Sequence, residues 1–152
     1  METSIAAVVP GEPVFTEVAA LFDDYRGHYG QAPDRERTAH WLAAQLMAGP
    51  LRLAAALRDG HPSGLITAVL LPASLRLGTV YSIRDLYVPP AHRRTGTARA
   101  LMSYAITEAR SAGALRISLQ TEPDNLPAQT LYADLGFRPV HDLDILDLPL
   151  SR

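Results

Sequence analysis

The chain has 152 residues, 47% of them hydrophobic and 20% charged, a balance that fits one folded domain spanning 1–152 and argues against a disordered tail. Sixteen acidic against fourteen basic residues leave a net charge of -2, so the chain as a whole supplies no field for gathering DNA or an anionic membrane. All fourteen cations are arginine and cysteine is absent, which excludes a P-loop or Schiff-base lysine, thiolate catalysis, disulfides and cysteine-held zinc or iron–sulfur sites.

The five histidines, at 28, 40, 61, 92 and 141, have none of the short spacings that metal pairs use, so no metal is expected. Apolar stretches such as Leu51–Leu57 and Leu65–Pro72 fall far short of the roughly 20 residues needed to span a bilayer. The expectation is a cytoplasmic protein, consistent with the lack of cysteine.

Ser4–Val9 reads as a first strand closed by Pro10-Gly11. Val14, Val18, Leu21, Phe22, Tyr25 and Tyr29 then recur at helical spacing up to Gly30, and Pro33-Asp34 opens a second helix that stops at Gly49-Pro50. Leu51–Arg58 and Leu65–Leu71 read as a hairpin about the turn formers Asp59 to Gly64, and Thr79–Val88 as a further strand ended by Pro89-Pro90. Gly96–Ala112 is a helix with Gly113 as its left-handed cap. A short strand, Leu115–Gln120, precedes a helix with Pro127 in its first turn and Gly136 past its end. Phe137–Val140 and Leu143–Leu148 read as two last strands, the second alternating Leu or Ile with Asp.

The segment Arg93-Arg94-Thr95-Gly96-Thr97-Ala98 lies where a strand hands over to a long helix. A helix start presents unpaired N–H groups and the positive end of the macrodipole, so small residues there let a phosphate approach while arginine adds charge-assisted contacts. An ordinary strand–helix turn with solvated arginines accounts for the same six residues.

Preceded by Asp85-Leu86-Tyr87-Val88-Pro89, this Arg-x-x-Gly-x-Ala turn resembles the coenzyme A signature of the GNAT superfamily of N-acyltransferases. The run from Asn125 to Phe137, with Ala128, Tyr132 and Gly136-Phe137, is similar to the second block of that superfamily. The close likeness covers Thr79–Val140. It implies an α+β fold, a mixed sheet of about six or seven strands splayed at its middle and flanked by about four helices. It also implies acetyl-coenzyme A as cosubstrate, its pantetheine arm paired with backbone near Leu86, Tyr87 and Val88 and its pyrophosphate held from Arg93 through Ala98. Asn125 would hydrogen-bond the arm, or serve only its own turn.

By the same resemblance Tyr132 would protonate the departing thiolate, a task that suits a phenol with a pKa of about 10. Packing beside Leu131 and Leu135 is the competing account of that side chain. Asp85 is the candidate base for the amine. Tyr81 to Val88 is similar to the diamine-acetylating branch of the superfamily, except that Arg84 stands where that branch tends to have a carboxylate. Strand alternation sends Arg84 and Asp85 to opposite faces, so only one of them is expected to point into an acceptor cleft, and a surface ion pair would explain both. Tyr25, His28 and Tyr29 are candidate acceptor residues, or plain helix packing. His61 and His141 fall in or near turns, and His92 flanks the anion cradle.

The reading is therefore direct acetyl transfer to a small-molecule primary amine, without an acyl-enzyme. Two alternatives remain: an acyl-coenzyme A-binding module without turnover, or an acyltransferase whose donor is an aminoacyl-tRNA or a carrier-protein thioester, met by Arg93, Arg94 and Arg99. A homodimer built through the terminal strands is implied by the resemblance alone.

Overall fold

Apolar runs of period two form five strands: β1 (Thr3–Ala7), β2 (Leu51–Arg58), β3 (His61–Ala73), β4 (Gly78–Tyr87) and β5 (Arg116–Ser118). Four helices accompany them: α1 (Phe15–His28), α2 (Arg35–Ala48) and α3 (Thr97–Ser111), which bury one side, and the short α4 (Leu126–Asp134), which buries none of its residues. The structure, a computed structural model, describes residues 2–150, so positions 1, 151 and 152 of the expected domain lie outside the described residues. It divides into two units, one up to Gln120 and one from Thr121. Among the described residues no helix is long and apolar enough to cross a membrane.

In the first unit the strands lie in the order β1-β2-β3-β4-β5, antiparallel except for the parallel β4–β5 pair, which makes the sheet mixed and the fold α+β. Phe15, Val18, Ala19 and Phe22 form the buried stripe of α1 and pack with Leu42 of α2 and with Leu53, Ala55, Leu65 and Tyr87 of the sheet. Alternation turns Ala54, Ala56, Ile66 and Ala68 to the other face, where α3 buries Leu101, Met102, Ala105 and Ala109. Those alanines let the helix come close. At Gly64 of β3 an added Cβ would lie 3.0 Å from Thr97 Cγ2 and 3.1 Å from Leu101 Cδ1, so the missing side chain is what seats the first turn of α3 on the sheet.

The two helices on the opposite face are joined by a buried carboxylate. Asp23 of α1 accepts from the Thr38 hydroxyl at 2.7 Å, from Arg26 Nη1 at 2.8 Å and from the Asp34 backbone N–H at 3.0 Å. These donors, Thr38 foremost, hold its carboxyl below the usual aspartate range against the opposing effect of burial. Asp34 in turn caps α2 by accepting from the Arg37 N–H at 3.1 Å.

The β2–β3 connection is tighter than its composition suggests. Arg58 pairs with His61, leaving only Asp59 (φ 53°) and Gly60 (φ 79°) as a two-residue turn of the type hairpins favour. His61, Pro62 and Ser63, expected in the loop, already belong to β3, with a bulge at Ala56/Leu57 absorbing the irregularity.

In the second unit Asn125 caps α4, its Oδ1 accepting from the Ala128 N–H at 3.3 Å. The helix closes on Gly136 (φ 99°), whose N–H donates to the Ala133 carbonyl at 3.0 Å. The expected strands Phe137–Val140 and Leu143–Leu148 do not form: neither has a ladder partner among the described residues, so the sheet has five strands there rather than six or seven. Alternation supplies a pleat pattern but not a partner. Asp142, at φ 66°, interrupts the extended run, and Leu143, Ile145 and Leu148 remain exposed.

Candidate active site

The β4–α3 junction begins with a strand edge. β5 pairs with β4 only from Val80 to Ser82, so the outer edge of β4 from Ile83 to Tyr87 has no ladder partner among the described residues. Just beyond the last β5 pair, Thr67 faces Asp85 while Ala68 faces Ile83, which makes Arg84 the extra residue of a bulge. A bulge bends and twists its strand, and this one lies just past the last residue of β4 that pairs with β5. The open edge leads directly to the helix.

Between them, Val88 and Pro89 run into a short 3-10 turn, Pro90–His92. Arg93 Nε donates to the Val88 carbonyl at 2.9 Å, and Thr95 Oγ1 reaches the His92 carbonyl at 2.5 Å and the Thr97 hydroxyl at 2.7 Å. Arg94 (φ 62°) and Gly96 (φ 80°) both take the left-handed conformation that bends the chain into α3. The first backbone bond of the helix runs from the Ala100 N–H to the Gly96 carbonyl at 3.0 Å, and the N–H groups of Thr97 and Ala98 have no acceptor among the described residues. Nothing lies within 4 Å of where a Gly96 Cβ would stand. Free donors, an open approach and the exposed Arg94 are what a diphosphate needs. The residues therefore fit the expected coenzyme.

On the face of the sheet that carries α1 and α2, these helices with β2, β3 and β4 enclose an open cavity of about 1080 Å³. Its lining includes Tyr25 of α1 and Tyr29 at the cap of that helix, Arg37 and Trp41 of α2, and Arg84 and Asp85 of β4. Each helix pair is spaced i, i+4 and so shares one face. Tyr25 donates to Asp85 Oδ1 at 2.7 Å, and the Thr67 hydroxyl donates to Oδ2 in a short hydrogen bond. Tyr25 also meets the rings of Phe22, Tyr29 and Tyr87, with centroids 5.4, 5.3 and 5.4 Å away.

Arg84 and Asp85 thus line one cavity, contrary to the expectation from alternation. The bulge breaks the period of two at that step and carries both side chains to the same side of the sheet. No ion pair joins them.

The structure brings Tyr25, Tyr29, Arg84 and Asp85 together but leaves His28 out of the cavity, with its ring against Tyr29 and Tyr87 at 5.4 and 6.2 Å. Leu86, Tyr87 and Val88 follow Asp85 along the open edge, and Tyr87 buries its ring in the core. His61 pairs with Glu17 at 2.9 Å on the surface. Tyr132 and Asn125 belong to the second unit, where Tyr132 lies 6.0 Å from the Phe137 ring and Asn125 serves its own helix. Thr67, Arg37 and Trp41 carried no motif. Thr67 shows only through its register opposite Asp85, and the other two only through their spacing on α2. The phenols of Tyr81 and Tyr104 are pushed above their ordinary value mainly by burial, so both stay neutral around pH 7.

Residues 16–137 match the profile of the acetyltransferase (GNAT) family. The chain is 32% identical over 120 residues to the uncharacterized N-acetyltransferase YhfO of Bacillus subtilis (strain 168), covering 79% of this chain and 80% of that one. It is 30% identical over 139 residues to the mycothiol acetyltransferase of Clavibacter sepedonicus, covering 91% of this chain but only 42% of that longer protein. The crystal structure of a "probable acetyltransferase" superposes with a TM-score of 0.87 at 28% identity, covering 100% of this chain and 99% of the other. A strand edge opening onto a left-handed glycine and a helix start, together with a family match across most of the chain, leads to one conclusion: the chain belongs to the GNAT family of acetyltransferases.

Proposed function

We propose that this acetyltransferase uses acetyl-coenzyme A and transfers its acetyl group directly to the primary amine of a small molecule, as a single domain working in the cytoplasm. The observation that carries the reading is the continuity of β4: Asp85 faces the cavity, and the next residues run along the open edge to the anion-binding turn at Gly96. Bound acetyl-coenzyme A supplies an activated thioester carbon. The N–H groups from Arg94 to Ala98 hold its pyrophosphate, and backbone groups of Leu86, Tyr87 and Val88 align its arm with the strand.

An amine with a pKa near 10 is about 0.1% neutral at pH 7, so a base must take its proton before attack. Asp85 accepts it, directly or through one water. A carboxylate offers about four lone-pair sites, and Tyr25 and Thr67 occupy one on each oxygen, fixing its orientation while leaving room for the incoming N–H. A backbone N–H of Leu86 or Tyr87 meets the negative charge that develops on the acyl oxygen. Tyr132 gives its phenolic proton to the leaving sulfur.

Thiol release from acetyl-coenzyme A across a panel of amines tests the reaction. Tyr132→Phe removes the phenolic hydroxyl and keeps the ring, and kcat is expected to fall about 100-fold with little change in the KM for acetyl-coenzyme A. An unchanged rate would remove Tyr132 from the mechanism.

A further inference from the structure

The bulge sets a cation and an anion side by side at the floor of one cavity, and the two do not neutralise each other. Asp85 is held by the Tyr25 and Thr67 hydroxyls. Arg84 is exposed and lines the cavity, and its guanidinium makes no hydrogen bond or ion pair with any described residue. An arginine fork of five donors without an acceptor matches a carboxylate by two parallel hydrogen bonds. The carboxylate beside it matches an amine. Consecutive residues on the same side of a strand place these two complementary groups a short distance apart, as the two charged ends of a single small molecule would be.

The rest of the cavity says what joins those ends. Tyr29 and Trp41, 56% and 50% exposed, are large aromatic surfaces left facing the open space, in a cavity with room for more than a bare aliphatic amine. A polycation finds no acidic excess there: with Arg26 paired to Asp23 and Asp34 engaged in capping α2, Arg37 and Arg84 stand against Glu36 and Asp85. We infer that the acceptor is an aminocarboxylate with an aromatic or large apolar body, its amine at Asp85, its carboxylate on Arg84 and its body against Tyr29 and Trp41. The inference rests on the acetyl-transfer reading only in making that amine the nucleophile.

Calorimetry with phenylalanine, phenylalaninamide and phenethylamine separates the two claims, because binding is read without turnover. Phenylalanine is expected to bind at least about tenfold more tightly than either compound lacking the carboxylate, and Arg84→Gln is expected to bring that ratio close to one. The ratios of kcat/KM from thiol release should follow the same order. Equal binding of all three, binding of none, or a preference that survives in Arg84→Gln overturns the inference. Selective binding of phenylalanine without thiol release would sustain it while removing the acetyl-transfer reading. Acetylation of phenethylamine in preference to phenylalanine would do the reverse.

Discussion

The turn at the start of α3 and the cavity beneath α1 and α2 meet a ligand in opposite ways. The turn offers backbone: N–H groups of Thr97 and Ala98, a left-handed glycine, and arginines of which Arg93 is tied at Nε to the Val88 carbonyl. The cavity offers side chains from five elements, held by the Tyr25–Asp85–Thr67 hydrogen bonds and by the buried Asp23 with its partners Arg26, Asp34 and Thr38. A site made of backbone depends on the local path of the chain and tolerates most exchanges of side chain. A site made of side chains depends on each residue and on the packing that holds the elements apart.

The comparison breaks most sharply at Asp85. Asp85→Asn keeps the shape and removes the base, so kcat for acetyl transfer is expected to drop about 100-fold at neutral pH. Equal rates for the variant and the parent would leave the proton to another group. Next comes Asp23, whose replacement by Ala leaves the Thr38 hydroxyl and the Asp34 N–H without their acceptor, takes the carboxylate from Arg26, and is expected to cost about 2–4 kcal/mol in denaturant unfolding. Its lowered carboxyl also gives a pH signature. The unfolded chain takes up this proton near the ordinary aspartate value, about 3.9, and the folded chain only at a lower pH. The contribution is therefore complete above that value and disappears as pH falls through the folded one, an acid-side loss that Asp23→Asn should flatten.

Gly96→Val tests the backbone side. It introduces a β-branched residue at φ 80°, where open space removes any clash within the protein but the conformation costs about 1–2 kcal/mol and the new methyls meet the ligand. The expected result is a rise of about tenfold in the Kd for coenzyme A by calorimetry, with Tm lowered modestly. Unchanged affinity would mean that phosphates are held elsewhere.

This division also explains what could be read from residues alone. The anion turn is contiguous, so Arg93 through Ala98 announces itself as a motif, and α1, α2 and α3 announce themselves through their apolar stripes. The cavity is not contiguous: Thr67 joins Asp85 only through strand register, and Arg37 with Trp41 reaches it only through the α1–α2 connection. The shared orientation of Arg84 and Asp85 was hidden because alternation is the rule and a bulge leaves no fixed trace in composition. The C-terminal run misled for a related reason. Leu143, Ile145 and Leu148 have the alternation of a strand, but pairing depends on a neighbour that local pattern does not encode.

On the proposed reading the edge of β4 holds the donor and the cavity holds the acceptor, so substitutions can change one without the other. Exchanges at Arg37, Trp41 or Tyr29 would reshape the cavity while the alanine face and Gly64 keep α3 seated on the sheet. The bulge at Arg84 joins the two: deleting that extra residue would restore strict alternation and take the guanidinium away from the cavity while Asp85 stays opposite Thr67, so one deletion would alter both the cavity and the strand edge.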